Sequence, residues 1–82
     1  MMYTAQITIM PLAELLDPQG KAVNEALHNL SLQSIKDVRI GKHINLSIEA
    51  PNKEVAFEIA DIACKKILYN AVMESYTIKI IE

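Results

Sequence analysis

The sequence predicts an α+β domain in which an antiparallel four-stranded sheet carries two helices on one face. Near both ends of the chain, apolar residues alternate with polar ones, as they do in half-buried strands. Two internal stretches instead repeat apolar residues every three to four positions, as amphipathic helices do. Each of these stretches opens with a proline beside a residue that caps helices, Asp17 or Asn52.

The first half of the chain predicts one strand and one helix. The strand covers Met2 to Met10 and ends at Pro11, and its inward-facing residues are Tyr3, Ala5, Ile7 and Ile9. The helix begins after the Asp17 cap and runs from about Pro18 to Leu30. Its apolar face is predicted to contain Val23, Ala26, Leu27 and Leu30. Residues 31–34 form a short polar exit.

The second half predicts a hairpin, a helix and a last strand. The hairpin turns near Gly41-Lys42, and its apolar residues are Val38, Ile40, Ile44, Leu46 and Ile48. The helix runs from Pro51-Asn52 to about Asn70, with Val55, Ala56, Ile59, Ile62, Ala63 and Ile67 facing inward. The last strand contains Val72, Tyr76, Ile78 and Ile80. The resulting order, βαββαβ, is that of the ferredoxin-like split βαβ plan.

The predicted sheet has a second face, which is polar and mostly uncharged. Such a face either meets water or forms a hydrated contact with another chain. Its residues are Thr4, Gln6, Thr8, Arg39, His43, Asn45, Ser47, Thr77 and Lys79.

Composition limits the classes of protein to consider. The 82 residues form one predicted domain, 1–82, and 51% of them are hydrophobic. This is more than one small core readily hides, so we expect self-association to a dimer or tetramer, or another partner. The net charge of −2 gives no basic surface for nucleic acid or membrane. With neither a signal peptide nor a membrane-length apolar run, the chain is expected to be cytoplasmic.

The start of the first predicted helix contains the candidates for partner contact. Gly20 lies in the first turn, where glycine costs about 0.5–1 kcal/mol relative to alanine. We therefore expect something to approach its backbone, either the protein's own sheet or another chain. Asp17 is either a plain helix cap or also a partner contact. Arg39 either lies solvated on the open sheet face or binds a partner carboxylate through two hydrogen bonds.

Cys64 and the two histidines carry no predicted chemistry. Cys64, the single cysteine, lies mid-helix near the predicted buried stripe and is interpreted as a core residue. His28 and His43 have no second ligand at metal-binding spacing and are interpreted as surface residues. Gly20-Lys21 lacks the remaining residues of a phosphate-binding loop. We predict no catalytic residue, bound cofactor or metal in this chain.

The motifs Leu16-Asp17-Pro18-Gln19-Gly20-Lys21-Ala22-Val23 and Asp37-Val38-Arg39-Ile40-Gly41-Lys42 resemble the PurS subunit family of formylglycinamide ribonucleotide amidotransferase. Cys64 and the segment from Leu68 to Tyr76 are also similar to that family, and the match runs over nearly the whole chain. Two positions depart from the family pattern. Ser31 stands where the family usually has a glycine turn, and Ala71 where it usually has proline.

The resemblance implies a small subunit without catalytic residues in purine biosynthesis. The enzyme converts formylglycinamide ribonucleotide to formylglycinamidine ribonucleotide with ATP and glutamine. A separate glutaminase subunit releases ammonia, and a large synthetase subunit holds ATP, magnesium and substrate. The small subunit is expected to bridge the two and support ammonia transfer. We take Asp17, Gln19, Gly20, Lys21 and Arg39 as its partner-contact candidates. Gly20 and Arg39 lie outside the predicted core, so variants at both are expected to fold.

Three rival functions fit the residues less well. An RNA-binding domain of this fold needs aromatic residues on the open face of its central strands, where this chain has small polar residues. An acylphosphatase-like enzyme needs an arginine after the first strand, and the stretch from Met10 to Leu16 contains none. A small-ligand sensor domain is excluded least firmly and stays open as the alternative.

Overall fold

The computed structural model describes residues 1–13 and 17–82, so Leu16, the first residue of the helix-start motif, lies outside the described residues. Three strands and two helices follow one another along the chain. They are β1 (Met2–Pro11), α1 (Pro18–Asn29), β2 (Lys42–Glu49), α2 (Lys53–Ala63) and β3 (Glu74–Ile81). In residues 1–13 and 17–82, no helix is long and apolar enough to cross a bilayer.

The strands form one antiparallel sheet in the order β2-β1-β3. Ile7, at the centre of β1, lies opposite Ile44 of β2 and Ile78 of β3. The predicted alternation in β1 is confirmed, since Tyr3, Ala5, Ile7 and Ile9 are all buried. The core therefore lies on one face of β1, and the polar face lies on the other side.

The described part of the chain forms three strands, not the predicted four. Val38 and Ile40 lie in an irregular segment, and β2 begins only at Lys42. The reason is local, because the Ile40 amide donates to the Asp17 carboxylate at 2.9 Å instead of joining a strand ladder. The short alternation around Val38 therefore marks a segment that follows α1, and the predicted hairpin at Gly41-Lys42 does not form.

Helix α1 begins and ends as the sequence indicates, and Ser31 supplies its stop. The Ser31 amide donates to His28 O at 3.0 Å and the Leu32 amide to Leu27 O at 3.1 Å, which is a Schellman motif. Ser31 has φ 70, the left-handed conformation that glycine adopts most easily. The turn is thus formed with serine, at the position where the resemblance implies glycine.

The predicted packing of α1 on the sheet is not observed. In the described residues, no strand or other helix packs along α1, whose contacts run to the segment that follows it. Val23 is 40% exposed and Leu30 is 69% exposed. We call residues 17–41, which contain α1 and the segment running back along it, the arm. The radius of gyration is 16.2 Å, against about 12 Å for a compact chain of this length.

Helix α2 packs on the sheet through small residues. Ala56, Ala60 and Cys64 are all fully buried and let the helix approach β1 and β3 closely. The Asn52 side chain caps the helix by accepting from the Val55 amide at 2.9 Å. A π-helical turn, Cys64–Leu68, then ends it close to the predicted point. The predicted inward-facing residues Ile59, Ile62 and Ile67 are instead 41%, 52% and 82% exposed.

Candidate functional site

Asp17 holds the base of the arm together. Its Oδ1 accepts from the Gly20 amide at 3.1 Å, which caps α1, and its Oδ2 accepts from the Ile40 amide at 2.9 Å. These two backbone hydrogen bonds, with a smaller contribution from Arg39, lower the pKa of Asp17 below its usual value. The predicted cap is therefore confirmed, and the same carboxylate also fixes a residue 23 positions further along the chain.

Arg39 ties the arm to the end of β1. Its Nη2 donates to the backbone oxygens of Pro11, in a close contact, and of Leu12, at 3.0 Å. Its Nε lies 3.9 Å from Asp17 Oδ2. The guanidinium thus binds backbone oxygens at the end of β1 and does not extend into solvent on the open sheet face. Together with Asp17, Arg39 forms what we call the arm junction.

Gly20 is buried at the arm junction because its own chain approaches it. A Cβ atom built on Gly20 would overlap the carbonyl oxygen of Val38. The two atoms would be closer together than real Cβ contacts ever are. The expectation that something approaches the backbone here is confirmed. The approaching group is the Val38 carbonyl in the returning segment of the arm, so the expected sources, the sheet or another chain, are wrong.

Gln19 and Lys21 differ from their neighbours because both side chains are exposed. Neither forms a side-chain hydrogen bond or ion pair with any residue in ranges 1–13 and 17–82. They flank Gly20 on the first turn of α1, which the arm junction holds in place. Of the five candidates, these two therefore present polar groups that another protein can reach.

A cleft of about 410 Å³ opens beside this turn. It brings the start of α1 next to the start of β3, and the Lys42–Glu74 ion pair at 3.5 Å lies in its wall. Asn70 and Glu74, which are not among the site residues predicted from the sequence, shape the β3 side. The Val72 amide donates to Asn70 Oδ1 and the Asn70 amide to Glu74 Oε1. The lining residues are Pro11, Asp17, Pro18, Gln19, Ile40, Lys42, Asn70, Met73 and Glu74. An asparagine directly before a turn often accepts from the amide two residues further on, and this weak signal could have indicated the wall.

Cys64 is a core residue, as predicted. It is fully buried at the end of α2, and burial raises the pKa of its thiol, with a further contribution from the nearby Asp61 carboxylate. A cysteine nucleophile needs the opposite surroundings, partly exposed and electropositive. This thiol is therefore unsuited to the attack on glutamine that a glutaminase requires.

Asp61 and Tyr76 connect α2 to β3. The Tyr76 hydroxyl donates to Asp61 Oδ1 in a close contact, and Lys65 Nζ lies 3.1 Å from Asp61 Oδ2. The bond to the carboxylate raises the pKa of Tyr76 to about 12. Tyr69 packs edge-on against Tyr76, with ring centroids 4.6 Å apart. This cluster fixes α2 toward the β3 side of the sheet.

The two histidines make local contacts. His28 Nε2 lies 2.7 Å from Ile35 O within the arm, and His43 Nε2 lies 2.8 Å from Asn45 Oδ1 on the polar sheet face. Among residues 1–13 and 17–82, no group of histidine, cysteine and carboxylate residues is arranged to hold a metal ion. Both histidines therefore contribute to local structure.

Comparison with known proteins identifies the family. The family model for PurS, phosphoribosylformylglycinamidine (FGAM) synthase, matches residues 4–82. The PurS subunit of Bacillus subtilis phosphoribosylformylglycinamidine synthase is 36% identical over 81 residues, covering 99% of this chain and 95% of that one. The corresponding Mycobacterium leprae subunit is 42% identical over 77 residues, covering 94% of each chain.

Solved structures agree with the sequence comparisons. The crystal structure of the Thermotoga maritima PurS subunit matches with a TM-score of 0.91 and 32% identity, covering 99% of this chain and 93% of that one. A chain in the structure of PurLQS from the same organism also matches with a TM-score of 0.91 and 32% identity, covering 99% of both chains. Because the family model and these relatives span nearly all of the sequence, the chain belongs to the PurS family of phosphoribosylformylglycinamidine synthase subunits.

Proposed function

We propose that this chain is a subunit without catalytic residues that bridges the glutaminase and synthetase subunits of FGAM synthase and supports ammonia transfer between them. The observation that carries the proposal is the end-to-end likeness to a chain of the solved PurLQS structure. The buried thiol of Cys64 supports it, because glutamine hydrolysis must then be performed elsewhere. ATP and magnesium belong to the synthetase subunit in this proposal, and the complex works in the cytoplasm.

Self-association is part of the same proposal. The chain leaves large apolar side chains exposed on both helices, including Leu30 and Ile62. Exposed apolar surface of this kind is typical of protein–protein contacts. A dimer or tetramer would cover it while leaving the polar sheet face and the first turn of α1 available to the other subunits.

The small-ligand sensor remains the alternative function. One observation favours it, the cleft of about 410 Å³ beside the arm junction, which falls within the size range of ligand pockets. The bridging role accounts for the same cleft as a recess for a partner side chain. Family membership favours the bridging role over the sensor.

We place the docking point for a partner subunit on the first turn of α1. Gln19 and Lys21 supply exposed polar groups there, while Asp17, Gly20 and Arg39 hold the turn in position. A turn fixed in this way loses little conformational freedom on binding, which favours affinity. The ammonium of Lys21 fits an acidic patch on the partner.

Replacing Lys21 with glutamate is expected to weaken assembly with the glutaminase and synthetase subunits without unfolding the chain. The change reverses an exposed charge at the proposed docking point, and like charges across an interface oppose binding. Titration calorimetry with the two partner subunits from the same organism measures the effect, and we expect the dissociation constant to rise roughly tenfold. Lys53→Glu, an exposed reversal at the start of α2, is the matched control. Equal affinities for both variants would remove Lys21 from the docking point.

A further inference from the structure

Helix α2 ends in a π-helical turn that exposes a large apolar residue. The Tyr69 amide closes this turn, Cys64–Leu68, by donating to Cys64 O at 3.3 Å. Cys64 is fully buried and Leu68 packs against the core, so both ends of the turn are fixed. Ile67, between them, is nevertheless 82% exposed. π-helical turns are rare and frequently occur at functional sites. Ile67 is therefore exposed by ordered structure and not by a frayed helix end.

The turn that follows, residues 70–73, exposes two more apolar side chains. Val72 is 79% exposed and Met73 is 52% exposed. Asn70 fixes this turn, because its backbone oxygen accepts from the Met73 amide at 3.1 Å and its Oδ1 accepts from the Val72 amide at 3.0 Å. Its own amide donates to Glu74 Oε1 at 2.9 Å. Turns are usually built from glycine, proline and small polar residues. Turn formation therefore does not account for a valine and a methionine here.

This turn is attached to the arm junction and lies beside the start of α1. The Leu12 amide donates to Met73 O at 2.8 Å, and Arg39 donates to Leu12 O at 3.0 Å. Met73 and Gln19 both line the cleft of about 410 Å³. The docking point on α1 therefore faces the turn across one shared cleft. The exposed apolar residues at this end of the molecule, which we call the apolar patch, are Ile67, Val72 and Met73.

Two exposed lysines border the apolar patch. Lys66 directly precedes Ile67, and Lys21 lies at the docking point. Neither forms an ion pair within the described part of the chain, whereas the neighbouring Lys65 binds Asp61 at 3.1 Å. An apolar centre with a polar rim is the usual anatomy of a protein–protein interface, and methionine is enriched in such centres. Because both rim charges are positive, the surface fits a partner that is apolar at its centre and acidic around it.

A second copy of this chain does not fit the same surface. In a two-fold contact a patch meets itself, which would bring Lys21 and Lys66 of one copy near the same lysines of the other. Like charges across an interface oppose binding. The occupant is therefore a different protein, and within the proposed function that protein is a subunit of FGAM synthase.

We propose that the apolar patch is the centre of the surface through which this chain docks a partner subunit, and that the partner presents an apolar side chain ringed by carboxylates. The inference rests on the proposed function and extends its docking point from α1 across the cleft. The partner's apolar side chain contacts Val72 and Met73, and its carboxylates face Lys21 and Lys66. Because hydrogen bonds already fix the turn and the start of α1, docking costs little conformational entropy.

Val72→Asp tests the centre of this surface. Val72 is 79% exposed, so the variant is expected to fold, and its new carboxylate would meet an apolar, acidic partner surface. Titration calorimetry uses the glutaminase and synthetase subunits of the same organism, each alone and both together. We expect the dissociation constant for a partner subunit to rise roughly tenfold or more. Met2→Asp, at a residue 59% exposed at the other end of β1, is the matched control. Val72→Ser provides an uncharged second variant.

Lys66→Glu tests the acidic rim of the partner. The reversal is expected to weaken the same binding at low salt, and the loss should shrink as salt rises, because salt screens repulsion between exposed charges. Lys53→Glu, an exposed reversal away from the patch, should bind as the natural chain does. A loss for Lys66→Glu that does not depend on salt, or no loss at all, contradicts the acidic rim.

The outcomes separate the docking surface from the proposed function. If the natural chain binds and both Val72 variants bind as tightly as Met2→Asp, the docking surface is wrong and the bridging role stands. If the natural chain binds neither subunit, alone or combined, both fail. Val72→Asp by itself is expected to sediment as the natural chain does. A change in its sedimenting mass with unchanged affinity for the subunits would mean that the patch contacts a second copy, which overturns the proposal.

Discussion

Replacing Gly20 with alanine is expected to destabilise the protein, although alanine is the better helix former. Helix propensity alone would favour alanine by about 0.8–1 kcal/mol. The new methyl group, however, would overlap the Val38 carbonyl oxygen, which belongs to the backbone and cannot rotate away. Overpacking of this kind typically costs about 1–3 kcal/mol, so the net change in unfolding free energy should be a loss. Urea unfolding at one fixed protein concentration measures it.

The control for this prediction is Ala22, two residues later on the exposed side of α1. Ala22→Gly should cost about 1 kcal/mol through helix propensity alone. If Gly20→Ala stabilised the chain by that amount, the Val38 contact would be absent in solution. From the sequence, Gly20 is a partner-contact candidate at which variants are expected to fold. The close approach of Val38 instead gives Gly20 a role in folding, while docking at this turn stays a prediction.

Arg39→Ala is expected to loosen the arm from the sheet. The change removes the hydrogen bonds to Pro11 O and Leu12 O, the guanidinium's links to the end of β1. Hydrogen bonds from a charged group contribute about 1.5–3 kcal/mol, and the loss of unfolding free energy should fall in this range. Amide hydrogen exchange in α1 should accelerate more than exchange in β1, because the arm has no other strand or helix packed along it in the described part of the chain.

Two further variants sharpen the Arg39 prediction. Arg39→Lys should recover only part of the loss, since an ammonium lacks the rigid planar geometry that holds Nη2 between the two carbonyl oxygens. Lys53→Ala removes an exposed cation outside the arm junction and should change unfolding free energy little. Equal effects of Arg39→Ala and Lys53→Ala would mean that the guanidinium is solvated, one of the two roles expected from the sequence.

The elements that local pattern determines were predictable from the sequence. The alternation in β1 and the caps of α1 and α2 are set by neighbouring residues, and all are observed. The missing fourth strand was not predictable in this way. The Ile40 amide, which a strand would pair in its ladder, donates instead to the Asp17 carboxylate, 23 positions away in the chain. Local periodicity contains no information about such a long-range hydrogen bond.

The packing of the helices was harder to predict than their existence. Large apolar residues such as Ile59 and Ile62 indicate a buried face, yet the sheet contacts small residues, Ala56 and Ala60. The prediction that these large residues face the chain's own core is therefore wrong. In an assembly the same large residues are available to contact another chain, and sequence periodicity does not say which chain covers a stripe.

The candidate site was only partly accessible from the sequence. The helix-start motif located Asp17 and Gly20 correctly, because capping and glycine's missing side chain are local properties. The role of Arg39 was not visible, since its acceptors, Pro11 O and Leu12 O, lie 28 and 27 positions away. Asn70 and Glu74 line the cleft only because the fold brings the start of β3 beside the start of α1.

The bridging role is tested most directly by comparing glutamine with ammonia as the nitrogen source. The glutaminase and synthetase subunits are assayed for formylglycinamidine ribonucleotide formation with and without this chain. The account predicts that omitting the chain abolishes most of the glutamine-dependent rate and leaves the ammonia-dependent rate of the synthetase largely intact. Full glutamine-dependent activity without the chain, or an equal loss with both nitrogen sources, would contradict it.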